Sequence, residues 1–383
     1  MANEPCIPPV LPVENLRWRE ILPLVGKANA CLARYDGMLQ TLQNPAILLS
    51  PMTANEAVLS SRIEGTQATL DEVLEADAGL VTSETRRGDI EEITNYRVAV
   101  KIADHALATR PITLSLIREV HQRLLQGVRG RDKAPGQFRE DQNWIGRNGD
   151  SIDRARFVPP SPMILPHELE KWEAYLARDD EDPVLQTAIA HAQFEILHPF
   201  KDGNGRIGRM LIPLILYRRG ALSSPMFYMS EYLEAHRAEY YDWLLAITNE
   251  GNWQGWLEFF LHALIEQAES NLDKVRKIRD LYDETRRRVQ ELTHSQYAMA
   301  AVDALFTSPI IAGTHFADSA GFNNRVTANN MLRQLEAAGL LTKLREGGGR
   351  TPAVYGFPQL INISEGRQIF ERRPMEGEAG KAE

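Results

Sequence analysis

Cysteine is nearly absent from this sequence: 383 residues hold two, Cys6 and Cys31. A pair so placed makes neither a disulfide framework nor the thiol cluster of a structural metal site. No apolar run approaches the roughly 18 residues that a membrane-spanning helix needs. The first residues, with Glu4, Pro8 and Pro9, lack the basic-then-apolar pattern of an export leader, so the cytoplasm is the expected location. Positive charge is not in surplus either. Lys and Arg number 43 against 52 Asp and Glu, a net −9 that gives no global attraction to nucleic acid or anionic membrane. The length is enough for two or three domains, each with its own core.

Chemistry is instead concentrated in one stretch, His198-Pro199-Phe200-Lys201-Asp202-Gly203-Asn204-Gly205-Arg206-Ile207-Gly208-Arg209. Upstream, Asp182 and Pro183 predict a helix start, and Leu185, Ile189, Ala192 and Ile196 place one buried face on that helix. It should end near Leu197, because Pro199 disfavours helix at His198. Ile207, Met210, Leu211, Leu214 and Ile215 then predict a second helix with Gly203, Asn204 and Gly205 at its N-terminus. Free backbone N–H groups and the helix dipole favour phosphate there. Arg206 and Arg209 share a face one turn in, within reach of phosphate oxygens. Asp202 offers a hard oxygen ligand for Mg²⁺ beside the cradle, and His198 is the natural general base. Pro213, inside the second helix, should bend it.

The block fits the Fic signature HPFx(D/E)GNGRxxR at every defined position, and on that ground the chain resembles the Fic family. The resemblance covers roughly residues 50–260 and extends more loosely to both ends. It implies an all-α Fic fold with a small β-hairpin flap, followed by a C-terminal winged-helix module. The implied activity is AMP transfer from ATP to a Ser, Thr or Tyr hydroxyl of a target protein, the chain itself included. In that reading His198 takes the hydroxyl proton, Asp202 holds Mg²⁺, Gly203, Asn204, Gly205 and Gly208 serve the nucleotide, and Arg206 and Arg209 neutralise the leaving pyrophosphate. Upstream, Ser60-Ser61-Arg62-Ile63-Glu64-Gly65 resembles the inhibitory motif (S/T)xxxE(G/N) of Fic proteins. There the glutamate, here Glu64, pairs with the second signature arginine, here Arg209. Asn143, Ile145, Gly146 and Arg147 fall where flap residues approach the nucleotide, and Tyr240, Tyr241 and Asn249 where relatives hold the adenine. Relatives that phosphorylate their target carry Lys in place of Gly205, and others lose the histidine; neither departure occurs here. Removal of AMP at the same site, or a winged-helix DNA-binding regulator with a nucleotide-sensing Fic site, are the alternatives.

The remaining chain reads as support. Val25, Ala28, Leu32, Tyr35, Leu39 and Leu42 predict a helix beginning at Pro23, and Thr69 with Glu72 a capping box. Gly88 precedes a helix carrying Ile90, Ile93, Tyr96 and Val100, and Thr113 caps another containing His121, a packing or capping residue rather than a catalyst. The turn signals between Trp144 and Phe157 predict a short hairpin. From Trp253 to about Thr293 a long helix should link two domains. Beyond it, helices and two strands end in a wing-like pattern, with Arg325–Ala338 as the would-be recognition helix. Five basic against two acidic residues between Gly321 and Phe357 is a small surplus for DNA, so protein contact or a homodimer is weighed equally. The expected domains are 1–105 (helical, with the inhibitory helix), 106–270 (catalytic core), 271–372 (linker helix and winged helix) and 373–383 (disordered tail).

Overall fold

A computed structural model describes residues 4–80, 84–127, 131–146, 149, 151–348 and 351–369. In chain order its helices are α1 (Trp18–Gln40), α2 (Pro45–Leu48), α3 (Ser50–Ile63), α4 (Leu70–Asp77), α5 (Glu84–Leu107), α6 (Leu114–Leu124), α7 (Leu165–Leu176) and α8 (Pro183–Leu197). There follow α9 (Asn204–Arg218), α10 (Ser230–Ala235), α11 (Arg237–Glu250), α12 (Trp253–Thr293) and α13 (Ala298–Thr307). The C-terminal stretch adds β1 (Ile310–Ala312), α14 (Gly313–Ser319), α15 (Arg325–Ala337), β2 (Thr342–Arg345), β3 (Val354–Gly356) and α16 (Pro358–Glu365).

The chain forms two units. The first takes Met1–Gly37, Leu59–Thr66 and Glu91–Asn271, and the second Met38–Val58, Gln67–Ile90 and Leu272–Glu383. Residues expected to make a separate N-terminal region are thus divided between the two. Arg147, Asn148, Asp150, Gly349 and the tail 373–383 lie outside the described residues.

The first unit is built around α8. Asp182 accepts hydrogen bonds from the Val184 and Leu185 N–H groups, and Pro183 supplies the first helical φ. The sequence suggests one buried face, but every residue from Val184 to Leu197 is buried. A helix buried all round belongs at the centre of a bundle. Here α8 packs against α7, α9 and α11. Its alanines let large neighbours approach: the Trp172 indole donates to the Ala190 carbonyl at 2.9 Å, and Trp256 to that of Ala188 at 3.0 Å. The α9 helix continues past Pro213 to Arg218 without a break.

The second unit joins helices to a three-stranded antiparallel sheet of order β1-β3-β2. Ile310 pairs with Gly356 and Ala312 with Val354, while Thr342 pairs with Gly356 and Lys343 with Tyr355. Its core joins Ala54, Leu70 and Leu74 to Ile310, Val354 and Ile361. The α14 helix packs on α13 and α15. The β1 strand is absent from the sequence reading, because three apolar residues after a helix carry no periodicity of their own.

Three further expectations change. The α1 helix starts at Trp18, before Pro23, and α5 starts at Glu84, before Gly88. Among the described residues of the expected hairpin flap, one bridge is formed, Ile145 with Phe157. Pro159 and Pro160 follow it and have no N–H to extend a ladder.

Candidate active site

The loop between α8 and α9 carries the signature residues, and its shape is fixed by backbone bonds. His198 ends α8 in the left-handed region, at φ 46° and ψ 58°. A residue with a Cβ pays for that conformation and needs its surroundings to hold it. Arg139 provides much of that hold: its Nε donates to the His198 carbonyl at 2.9 Å, and its backbone N–H to that of Pro199 at 2.9 Å. The Asn204 side chain accepts from the Phe200 N–H and donates to the Phe200 carbonyl, both at 2.8 Å. Asn204 therefore braces the loop. Asn143 donates to the same Phe200 carbonyl at 3.2 Å.

Phe200 is fully buried and stacks on the His121 ring, with centroids 3.6 Å apart. The Gly136 N–H donates to His121 Nδ1 at 2.9 Å, so the proton sits on Nε2, which donates to the Asp202 carbonyl at 2.9 Å. Burial pushes His121 down to about 4, which keeps that tautomer neutral. Gly203 then turns the chain into α9 at φ 80°.

The loop and the start of α9 open onto a cavity of about 1010 Å³. Of the residues expected at a nucleotide site, Glu64, Ile145, Gly146, His198, Gly205 and Tyr241 line it. Burial and the Arg139 charge push the His198 imidazole down to about 4, although Glu64 pulls the other way, so the ring is neutral near pH 7. A neutral imidazole at a cavity wall can accept a proton.

A short ion pair joins α9 to the end of α3. Arg209 Nη2 meets Glu64 Oε1 at 2.6 Å, with the Arg209 side chain fully buried and that of Glu64 33% exposed. Ser60, at the first position of the motif, completes the clamp. Its hydroxyl accepts from Arg209 Nε at 3.0 Å and its carbonyl from Nη2 at 2.8 Å. Burial alone would raise the Glu64 carboxyl, but Arg209, assisted by Arg206, outweighs it and holds it below the ordinary value. Burial also opposes the Arg209 charge, yet its pKa is driven upward, chiefly by Glu64. Both groups are ionised.

The other expected residues lie behind or away from the cavity wall. Arg206 is buried between Glu92 at 3.2 Å and Asp202 at 3.3 Å. Asp202 also accepts from the Gly203 N–H at 2.6 Å. Tyr240 is fully buried, and its hydroxyl meets His191 Nε2 at 2.9 Å, so it offers no face to a base. Asn249 is exposed in the last turn of α11 and does not line the cavity. Gly208 is the close-approach point of α9 to α8, where a Cβ would collide with the Glu195 carboxyl.

Arg139, Glu195 and the cavity-lining Trp144, Arg156 and Arg237 are site residues that sequence reading passed over. None stands in a local pattern distinguishing it from a surface charge or a core aromatic. Among the described residues no group of three or more His, Cys, Asp or Glu could hold a metal. Asp202 is the carboxylate of the loop that could contribute an oxygen ligand to a Mg²⁺.

Comparison with known proteins places a Fic/DOC family N-terminal region on residues 22–104 and a Fic/DOC family domain on residues 111–216. The chain is 33% identical over 191 residues to the protein adenylyltransferase Fic of Aedes aegypti, covering 48% of this chain and 33% of that protein. It is 29% identical to a probable protein adenylyltransferase of Aquifex aeolicus, over 49% of this chain and 55% of the relative. The chain thus spans from a third to about half of the length of these relatives. Its fold is similar to that of a Fic family protein from Desulfovibrio desulfuricans, with TM-score 0.55 and 18% identity over 93% of this chain and 98% of that one. A Fic domain containing signaling protein from Bacteroides thetaiotaomicron aligns with TM-score 0.53 and 18% identity, over 65% of this chain and 97% of that one.

Proposed function

The chain belongs to the Fic/DOC family, and from that premise we propose that it transfers AMP from ATP to a side-chain hydroxyl of a protein, held in check by Glu64. The observation that carries the reading is the Glu64–Arg209 ion pair of 2.6 Å, whose Glu64 lines the same cavity as a neutral His198. In this reading the polyphosphate lies along the N-terminus of α9, where the backbone N–H groups and the dipole favour anions. His198 takes the proton of the target hydroxyl as its oxygen forms a bond to the α-phosphorus. The bond from that phosphorus to the bridging oxygen breaks, and pyrophosphate leaves with the electron pair. Asp202 is the side chain that would hold a Mg²⁺ arriving with the nucleotide, and that ion would offset phosphate charge.

Arg209 is the cation best placed for the terminal phosphates, and Glu64 occupies it. A carboxylate and a terminal phosphate cannot share one guanidinium without repulsion, so the resting site disfavours productive ATP binding. The same ionised Glu64 at the cavity wall supports a second reading, in which it orients water for removal of AMP from a modified target. Residues 298–356 follow the order helix, strand, helix, helix, strand, strand, which supports reading them as a winged helix. Lys343 there is paired with Glu336 at 3.2 Å and Glu346 at 3.5 Å, which favours a protein-contact role over DNA binding.

Transfer of label from α-³²P-ATP with Mg²⁺ tests the proposal in wild type, Glu64→Gly and Glu64→Gly/His198→Ala. Labelled protein should rise at least roughly tenfold on removing Glu64 and fall back by about 10²-fold or more without the base. Equal labelling in all three proteins would refute both roles.

A further inference from the structure

The start of α9 has Gly205 and Gly208 one turn apart, the first on the cavity and the second behind it against α8, and each glycine has a carboxyl group packed on it. A Cβ at Gly205 would collide with the Glu64 carboxylate, and a Cβ at Gly208 with Glu195 Oε1. The two acids therefore stand on one helix face with Arg209 beside them. Their states differ. Glu64 is bonded to Arg209. Glu195 lines the same cavity, its residue is 9% exposed, and its Oε1 is buried without a hydrogen-bond partner.

Arg209 Nη1 is also buried and unpartnered, at 2.9 Å from the Cβ position of Gly205. Glu64 and Glu195 line the cavity, while Arg209 lies behind Glu64. A ligand that takes the place of Glu64 is therefore what could reach the orphaned guanidinium nitrogen and supply hydrogen-bond acceptors to it and to the orphaned carboxyl. Ionised Glu195 accepts only, so it could not serve such a ligand; its acid form donates. We propose, resting on the nucleotide-transfer reading above, that Glu195 is a second, proton-carrying element of the polyphosphate site. Its carboxylic O–H donates to an oxygen of the terminal phosphate that replaces Glu64 on Arg209.

The surroundings support the acid form. Burial pushes the Glu195 carboxyl up to about 8, opposed by Arg209 on α9 and reinforced by Glu64 after α3. One turn back on α8, His191 is held down to about 3 by burial and is neutral. From α11, burial raises the Tyr240 and Tyr241 phenols, so neither supplies charge. Glu195 thus carries its proton at neutral pH and adds no repulsion to a polyphosphate. Ionised, it would place a second anion where Glu64 stood.

The test is ATP binding by calorimetry between pH 6.5 and 9.5, with Mg²⁺, in full-length Glu64→Gly and in Glu64→Gly/Glu195→Gln. Glutamine keeps a neutral donor of nearly the same shape. Affinity of the first protein should fall by roughly tenfold per pH unit above the Glu195 pKa, as one proton is lost, while the second stays flat. That pKa lies below about 8 here, because the Glu64 charge that helps raise it is gone. AMP, which lacks the terminal phosphates, should show no such limb in either. A parallel ATP profile in both proteins, or an equal limb for AMP, overturns the inference and leaves the transfer reading intact. Failure of both proteins to bind ATP at any pH overturns the transfer reading and this inference with it. Because the Glu195→Gln substitution could disturb α8, thermal melting of both proteins accompanies the titration. Glu64→Gly/Glu195→Asp, which keeps the acid but shortens its reach, should bind ATP weakly already at pH 7.

Discussion

Arg139 shows how far a single side chain can govern this site without entering the cavity. Its guanidinium gives hydrogen bonds to four carbonyls: His198 at 2.9 Å, Pro160 at 2.5 Å, Asp141 at 3.4 Å and Leu197 at 3.4 Å. Burial pushes it down to about 10, but it remains charged at neutral pH. That charge lowers the His198 imidazole, and the Nε bond helps hold His198 in its left-handed turn. Lys cannot reproduce a planar fork to several carbonyls, so Arg139→Lys should reduce kcat by about tenfold or more with ATP affinity retained. Arg139→Gln also removes the charge. The imidazole pKa should then rise, and the acid limb of the pH–rate profile should move to higher pH. An acid limb that stays in place would mean that Arg139 serves shape alone. At this scale His198, Asp202 and Arg209 are legible in the sequence because they stand within one contiguous motif. Arg139 is not, since its partners are carbonyls brought together by tertiary structure.

The element that decides the site is the turn from α8 into α9. Its limits are readable because helix ends are written locally: Asp182 and Pro183 begin α8, Pro199 stops it, and Gly203 admits α9. The same holds for the Thr69–Glu72 capping box and the Thr113 cap, both present as read. The flap is different, since a hairpin depends on pairing across the turn, and among its described residues one bridge precedes the prolines of one arm. Gly203 offers a clean test of the turn. A Cβ there would adopt φ 80° and meet Leu124, Leu125 and His121 at 3.3 to 3.6 Å. The backbone strain alone costs about 1–2 kcal/mol, so Gly203→Ala should lower the urea midpoint by a corresponding amount. An unchanged midpoint would mean that the turn relaxes without cost.

Across the molecule, three neutral histidines, His121 and His191 buried and His198 half-buried at the cavity wall, set how stability responds to acid. His121 is held to about 4, His191 to about 3 and His198 to about 4, each mainly by burial, against an ordinary value of 6.5. Between 6.5 and about 4 the unfolded chain therefore binds protons that the folded chain refuses, and stability falls as pH falls. Two effects run the other way. Glu195, raised to about 8 from 4.5, favours the folded state on acidification across that interval. Net charge also shrinks from −9 toward the isoelectric point near 5.6, which relieves repulsion. One glutamate offsets about one histidine, since each shift is worth about 1.4 kcal/mol per pH unit while it operates. The remaining histidines should win. Urea unfolding followed at pH 7 and pH 5 should show a loss on the order of 1 kcal/mol or more. A stability that holds or rises over that interval would mean that charge relief outweighs the histidines, and that their burial costs less than the fold suggests.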